Sequence, residues 1–354
     1  MFQFPIVDPH VHQWDVARTP RVLTWPKRLL GWNPRLYESL LKLAAKEADR
    51  HYVGRVDYVA YDYLPVHYSM DADRLPISHV VHVEAHWQDK SALGPVGETR
   101  WLEEIFQDSP VALGAIVGQI PLQHPRAEAV LKAHLQASAR FRGVRQMLAF
   151  DSDPGIMNFC PRAELSQDPQ WRSGLSLLAP HNLSFDAWMF HHQLPELLEL
   201  AQAFPRQTFV LNHLGTPIGI GGPFASYGRT AEARQVTLRT WQMHLQALAE
   251  QPNVMVKLSG LFMPVLGWGF EHRSRAPGLQ ELLDKAGPLI EFGLQQFGVE
   301  RCLFASNFPM DKVSLSLPQL YEFYAAVVAG YAESDRRKLF YDNAARLYGI
   351  GGTL

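Results

Sequence analysis

Cysteine is scarce in this chain of 354 residues, which contains only Cys160 and Cys302. Two cysteines cannot build a disulfide scaffold, and so low a content fits a reducing compartment. The sequence also lacks any run of about 18 apolar residues, which a membrane-spanning helix would need. Its N-terminus has neither the basic nor the apolar segment of a signal peptide. The sequence therefore predicts a cytoplasmic protein that does not bind a membrane.

An excess of charge of one sign is missing as well. Lys and Arg together number 33 and Asp and Glu 35, for a net charge of −2. This balance provides no basic surface for a nucleic acid. The glycine-rich segment 214–233 lacks a following Lys-Ser or Lys-Thr, which excludes a Walker-type phosphate loop. With 47% hydrophobic residues the chain can bury a large core, and it is too apolar to be disordered.

Short β-rich segments alternate with helical patterns along the whole chain. The predicted strands are 4–8, 79–84, 112–118, 142–147, 184–190, 207–213, 253–259 and 301–307. The predicted helices include 98–107, 126–138, 194–204, 238–250 and 281–297. Eight strands alternating with helices predict a (β/α)8 TIM-type barrel, with a doubly wound sheet as the competing topology. Long strand-to-helix loops at 149–168, 214–233 and 260–278 favour the barrel, whose active sites form on that face.

The length fits a single barrel domain spanning 1–354. Segment 13–78, between the first two predicted strands, is then an insertion within that domain. We expect a helix at 36–50 and a strand-like run at 57–61 within it. A lid and an oligomerisation arm are both compatible with its sequence. Because barrels of this size often pair, a homodimer is expected by analogy.

Polar residues recur where the predicted strands end. Asp8, His10 and His12 alternate along the first strand, so we expect all three on one face, within reach of a metal ion, a water or a carbonyl. The others are Glu84, Arg145, His191, His192, His213, Lys257, Asn307 and Asp311. Each has a structural interpretation: Glu84 as an arginine partner, His213 as a core histidine, Lys257 as an interior ion-pair partner. Because buried ionisable groups are costly unless paired or used, the whole set predicts an active site.

Six short motifs resemble a known family when they are taken in order. They are Asp8-Pro9-His10-Val11-His12-Gln13-Trp14, His82-Val83-Glu84-Ala85, Gly143-Val144-Arg145-Gln146, His192-Gln193-Leu194-Pro195, Asn212-His213-Leu214-Gly215 and Ser306-Asn307-Phe308-Pro309. The set resembles the amidohydrolase-2 branch of the amidohydrolase superfamily from residue 4 to about 350. It is most similar to the lactonase-like group, with the 2-pyrone-4,6-dicarboxylate, fuconate and rhamnonate lactonases. The resemblance implies a (β/α)8 barrel that hydrolyses a carbonyl compound.

The resemblance also implies roles for individual residues. His10 and His12 would be the first-strand pair, with His192 as the strand-five histidine and His213 as the strand-six histidine. Arg145 would grip a substrate carboxylate. Some members of the family hold one divalent metal and others work without it. Two alternatives therefore stay open: no metal, or one zinc or manganese ion on His10, His12 and His192.

One residue departs from the family pattern. Members usually carry an aspartate at the end of strand eight, where this chain has Asn307. An amide is neither a base near neutral pH nor a good zinc ligand. Asp311, four residues later, is the first candidate to replace that aspartate as the general base, with Asp8 and Glu84 as the other candidates.

Together with the resemblance, these residues lead us to expect a hydrolase that opens a small carboxylated or sugar-derived lactone by water attack on the ester carbonyl. His10, His12 and His213 would polarise the carbonyl, while Arg145, Trp14 and Lys257 would contact the substrate. One alternative is a metal-dependent decarboxylase or amide hydrolase of the same branch. The other is a non-catalytic barrel that binds a small molecule, made so by Asn307.

Overall fold

Eight parallel strands form one sheet in chain order in the computed structural model, which describes residues 2–57 and 59–351. The strands are β1 (Ile6–Val11), β2 (Ile77–Val83), β3 (Ala112–Gly118), β4 (Phe141–Arg145), β5 (Ser184–Ala187), β6 (Phe209–Leu211), β7 (Val254–Leu258) and β8 (Cys302–Phe304). Val11 pairs with Phe308 in parallel, and the His12 amide donates to the Phe308 carbonyl at 2.9 Å. This contact brings the first and last strands together. The predicted barrel is confirmed, and the competing doubly wound sheet is wrong.

Helices surround the sheet and follow the strands, as expected for a (β/α)8 barrel. They are α1 (Thr24–Leu30), α2 (Pro34–Ala44), α3 (Glu47–Val53), α4 (Pro65–Ala72), α5 (Val96–Ile105), α6 (Ala127–Ala137), α7 (Pro169–Leu175), α8 (Leu194–Ala203), α9 (Ala231–Ala249), α10 (Leu279–Phe297), α11 (Leu317–Val327), α12 (Glu333–Arg337) and α13 (Asn343–Tyr348). Helix α9 begins seven residues before the predicted position. Thr230 caps it, since its hydroxyl accepts a hydrogen bond from the Ala233 amide at 3.1 Å. Within the described ranges, no helix is long and apolar enough to cross a membrane.

In its described residues, the segment between β1 and β2 holds four helices, where the sequence predicted one at 36–50. The backbone is extended at Ala45 and Lys46, and this break separates α2 from α3. Asn33 starts α2 by accepting a hydrogen bond from the Leu36 amide at 3.2 Å. The strand predicted at 57–61 is wrong for the residues described there, which form turns and bends; Tyr58 lies outside the described residues.

Strand β1 is irregular around Pro9, and this changes where its side chains point. Its pairing with β2 shifts register between Asp8 and Val11, at a proline that cannot donate a ladder hydrogen bond. The expectation that Asp8 shares a face with His10 and His12 is wrong. Asp8 accepts hydrogen bonds from the Tyr68 hydroxyl of α4 at 2.8 Å and from the Ser306 amide at 2.9 Å.

Candidate active site

A cavity of about 520 Å3 opens where the strands end, within the range typical of ligand pockets. Five polar side chains from the ends of different strands form what we call its floor: His12, Glu84, Arg145, His213 and Asn307. The rest of the wall is mostly apolar and comes from the segment between β1 and β2 and from the later strand-to-helix loops. The structure therefore brings five of the predicted site residues to one place.

Three histidines lie together at the floor. The rings of His10 and His12 are 4.9 Å apart between centroids, and those of His10 and His213 are 4.5 Å apart. His12 and His213 line the cavity, whereas His10 is fully buried beneath them. Burial lowers the pKa of all three rings well below the usual value. The charge of Arg145 lowers it further in all three, and that of Lys257 does so in His10 and His213. All three imidazoles are therefore neutral at neutral pH.

The tautomer of His12 is fixed by the backbone. Its Nδ1 lies 2.7 Å from the carbonyl oxygen of Val83. A carbonyl can only accept, so Nδ1 carries the proton and Nε2 carries a lone pair. His213 is held differently, since its Nδ1 lies 2.9 Å from the Ser259 hydroxyl, which can donate or accept. His12 thus presents an unprotonated nitrogen on a residue that lines the cavity.

Arg145 and Glu84 form a buried ion pair at the floor. Arg145 Nε donates to Glu84 Oε1 at 2.9 Å, and Nη2 donates to the Glu84 carbonyl at 2.7 Å. Burial would raise the pKa of Glu84, but Arg145 and the His86 amide outweigh it and the pKa is lowered. Glu84 is therefore ionised and engaged by Arg145. Arg145 Nη1 lies 3.4 Å from His10 Nε2, so the guanidinium lies beside the histidines.

Asn307 and Asp311 lie near each other, but they occupy different positions relative to the cavity. Asn307 lines it, and its Nδ2 has no well-aligned hydrogen-bond partner in the part of the chain that the structure describes. Asp311 is fully buried and is not a lining residue; its Oδ1 accepts from the Phe262 amide at 3.1 Å. Burial raises the pKa of Asp311 to about 8, against the opposing effects of the Phe262 amide and the nearby Asn307 side chain. The structure thus places Asn307, and not Asp311, at the cavity surface.

The structure does not bring His192 to the floor. Strand β5 ends at Ala187, three residues before the predicted end, and a 3₁₀ turn at His191–Gln193 follows. His192 Nε2 lies 3.2 Å from the carbonyl oxygen of Phe150, and its side chain is 34% exposed. It is not among the described residues that line the cavity. The prediction that His192 joins His10 and His12 is therefore wrong.

Lys257 and Trp14, both predicted to contact the substrate, have different positions. Lys257 is fully buried inside the barrel, with Nζ 2.6 Å from Asp186 Oδ2 and 3.4 Å from His10 Nδ1. It is not a lining residue within the described ranges, so the structure gives it an ion-pair role in place of substrate contact. Trp14 does line the cavity, and its indole nitrogen donates to the Tyr61 carbonyl at 2.7 Å.

Several lining residues were missed by sequence reasoning. His86 reaches the cavity from a left-handed backbone position after β2, and burial lowers its pKa. Arg21 comes from the segment before α1; its guanidinium lies 4.8 Å from the Trp14 ring and donates to the Ala85 carbonyl. Burial lowers the pKa of Arg21 to about 10, so it keeps its charge at neutral pH. Neither residue belongs to a periodic pattern, so the sequence offered no signal for them.

The side chains present do not fit a divalent metal. No group of three or more His, Cys, Asp or Glu side chains within the described chain is arranged to hold an ion. The two ring nitrogens of His10 lie 3.4 Å from the cationic ends of Arg145 and Lys257, which would repel a metal. Glu84 is engaged by Arg145, and Asn307 is a poor zinc ligand. The predicted zinc or manganese site on His10, His12 and His192 therefore has no matching donor set.

Gly260 packs against the His213 ring, and we expect a side chain at this position to displace that ring. It has φ +64°, and a Cβ there would lie 2.5 Å from His213 Cγ. Gly260→Ala should lower kcat/KM by about 10- to 100-fold, because small misplacements of a site residue are costly. Gly269→Ala is the matched control, since φ is +69° and no atom lies within 4 Å of its Cβ. Steady-state kinetics with both variants measure the two kcat/KM values. An equal loss of kcat/KM in Gly260→Ala and Gly269→Ala would contradict the prediction.

The fold is an eight-stranded parallel barrel, and its cavity floor at the strand ends is polar and carries His12 and His213. This is the arrangement of (β/α)8 enzymes. Residues 7–350 match the Amidohydrolase family, and the chain belongs to that family. The predicted amidohydrolase-2 membership is thereby confirmed, and it supports a hydrolase.

Three known proteins illustrate the similarity. The chain is 30% identical over 352 residues to the uncharacterized protein y4mH of Sinorhizobium fredii, covering 99% of this chain and all of the relative. It is 27% identical over 314 residues to L-fucono-1,5-lactonase of Burkholderia multivorans, covering 86% of this chain and 92% of the enzyme. A crystal structure of an amidohydrolase from Burkholderia multivorans with bound zinc shares the fold, with a TM-score of 0.70 at 20% identity, covering 98% of this chain and 100% of that chain.

Proposed function

We propose that this protein hydrolyses a lactone by attack of water on the ester carbonyl, without a metal. The observation that carries the proposal is the group of neutral imidazoles beside Arg145 at the cavity floor. Ester hydrolysis needs a base toward water and a donor toward the developing oxyanion, and the floor offers both. The similarity to an L-fucono-1,5-lactonase supports the same chemical class.

His12 is the proposed general base. Its Nε2 lone pair accepts a proton from the attacking water while Nδ1 stays bonded to the Val83 carbonyl. The oxygen of that water bonds to the carbonyl carbon, and the C=O electron pair moves onto the oxygen. When the ring C–O bond breaks, the leaving alkoxide takes the proton back from His12. The products are one carboxylate and one hydroxyl on the same opened chain, together with the proton that ionisation of the new acid releases.

Arg145 and Asn307 are the proposed donors to the oxyanion. Arg145 is already oriented by Glu84 through two hydrogen bonds, so its remaining N–H groups need little reorganisation. The Asn307 Nδ2 is a buried donor without a well-aligned partner in the described chain, and such a donor gains by meeting a ligand oxygen. In the proposed site Asn307 donates a hydrogen bond to the oxyanion, whereas an aspartate at this position would act as a base.

The pH dependence distinguishes His12 from Asp311 as the base. A base works when unprotonated, and the lowered pKa of His12 keeps it so well below pH 6.5. We therefore expect kcat/KM to be level from pH 8 to 6.5 and to fall only at lower pH. Asp311, with its pKa raised to about 8, would instead give a rate that rises between pH 7 and 9. Initial rates at constant ionic strength, corrected for spontaneous lactone opening, measure this profile.

The direct test is proton release from a panel of lactones, with and without a strong chelator. The panel holds L-fucono-1,5-lactone, dihydrocoumarin and unbranched δ-lactones. We expect hydrolysis that the chelator does not affect. Chelator-sensitive hydrolysis would overturn the metal-free mechanism. No hydrolysis of any lactone would overturn the proposal and favour a decarboxylase or a binding-only barrel, which loss of carbon dioxide from carboxylated substrates would then separate.

A further inference from the structure

The cavity wall above the floor is mostly apolar, and the segment between β1 and β2 builds much of it. Leu41 from α2, together with Val56 and Val59 after α3, lines one part of the wall. Phe159 and Trp188 line another part, with their ring centroids 4.5 Å apart. A ligand held on the floor therefore meets hydrocarbon above it.

Polar groups are the minority on this wall, and three of them are Arg21, Asp49 and His86. Lys46, just before α3, and Arg50 of α3 also line the cavity, but both residues are exposed, which places them where it meets solvent. Arg50 Nη1 also donates to the Lys42 carbonyl at 2.8 Å. A sugar lactone would bury hydroxyls against Leu41, Val56 and Val59, and each unpaired hydroxyl costs free energy. An apolar group would bury hydrocarbon there and gain from it.

The size of the cavity indicates a ligand that extends beyond one ring. A volume of about 520 Å3 lies within the range of pockets that enclose drug-sized ligands. The floor engages only the carbonyl and its water, so most of the volume is left for the remainder of the substrate.

We propose that the substrate is a lactone carrying an extended apolar group, alkyl or aryl, which lies against Leu41, Val56 and Val59. The inference rests on the proposed lactone hydrolysis and names the substrate class for that same site. The ester carbonyl meets His12 and Arg145, and the apolar group points toward the helices between β1 and β2.

A chain-length series tests the substrate class. We would measure kcat/KM for δ-valerolactone, δ-octalactone and δ-decalactone, and for L-fucono-1,5-lactone. Each methylene buried should raise kcat/KM by about fourfold until the chain fills the cavity, and the sugar lactone should be a poorer substrate than δ-decalactone. A flat series with L-fucono-1,5-lactone as the best substrate would overturn this inference and leave lactone hydrolysis standing. No hydrolysis at all would overturn lactone hydrolysis itself.

Two leucines of α2 provide a matched pair of variants. Leu41 lines the cavity, whereas Leu43 is 80% exposed and is not a lining residue in the described chain. Leu41→Asn should lower the kcat/KM ratio of δ-decalactone to δ-valerolactone by about tenfold, and Leu43→Asn should leave that ratio unchanged. Val56→Thr, which nearly keeps the side-chain shape, repeats the test if α2 is disturbed. If the kcat/KM ratio of δ-decalactone to δ-valerolactone is the same in all variants as in the native protein, the inference is overturned.

Discussion

Replacement of His12 by alanine is expected to lower kcat by about 10²- to 10⁴-fold, the usual contribution of a general base. The reason is the lone pair on Nε2, which the Val83 carbonyl fixes by binding the opposite nitrogen. The carboxylates nearby cannot substitute for it. Glu84 is held by Arg145, and Asp311 is not a lining residue in the described chain. Steady-state hydrolysis of the best lactone substrate measures the loss, and thermal unfolding checks that the variant stays folded.

Two further variants make this result specific. His12→Asn keeps a donor for the Val83 carbonyl but no base, so its kcat should fall as far as that of His12→Ala. His192→Ala removes a histidine that sequence reasoning placed in the site but that lies outside the cavity lining. Its kcat should stay within about twofold of the native value, as for a change away from the reacting groups. A His12→Ala enzyme within tenfold of native, or an equal loss in His192→Ala, would remove His12 as the base.

Replacement of Lys257 by methionine is expected to destabilise the protein by about 3–5 kcal/mol, the usual cost of removing one partner from a buried ion pair. Lys257 and Asp186 are both completely buried, with Nζ and Oδ2 2.6 Å apart. Without the ammonium group, Asp186 would keep a buried carboxylate whose remaining hydrogen-bond partners in the described chain are neutral donors such as Asn212, whose Nδ2 lies 2.9 Å away. Urea unfolding, followed by circular dichroism, measures the change in free energy of unfolding.

The ion pair also has a double variant and an exposed counterpart. Lys257→Met combined with Asp186→Asn removes both charges and should be more stable than Lys257→Met alone. The exposed pair Lys132 and Glu128 has the same 2.6 Å separation, with side chains 62% and 60% exposed. Lys132→Met should leave stability without measurable change, since solvent screens such pairs. Equal destabilisation by Lys132→Met and Lys257→Met would contradict the argument from burial.

The sequence predicted the barrel well because its signals are repeated. Eight buried strands and short helix-to-strand loops recur along the chain, so an error in one boundary does not change the topology. The floor residues were also predictable, because a residue at the end of a barrel strand lies at the cavity. They are His12, Glu84, Arg145, His213 and Asn307. The alternative structural interpretation of Glu84, as the partner of an arginine, agrees with its contact with Arg145.

The errors arise where one local feature decides a side chain's direction. The irregularity at Pro9 turns Asp8 away from His10, and period-two alternation cannot reveal it. The early end of β5 carries His192 out of the site. His86 reaches the cavity through a left-handed backbone position that no pattern marks. Each of these depends on tertiary contacts, which a single sequence does not display.

The contacts between β1 and the end of β8 can form only after both segments of the chain have been synthesised. Asp8 accepts the Ser306 amide across a separation of 298 residues. At the usual 5–20 residues per second of synthesis, roughly 15 to 60 s pass between the emergence of these two partners from the ribosome. His10 and His12 are therefore made well before Asn307, which completes their surroundings. Onset of the proposed lactone hydrolysis during synthesis would therefore report that the whole barrel has closed.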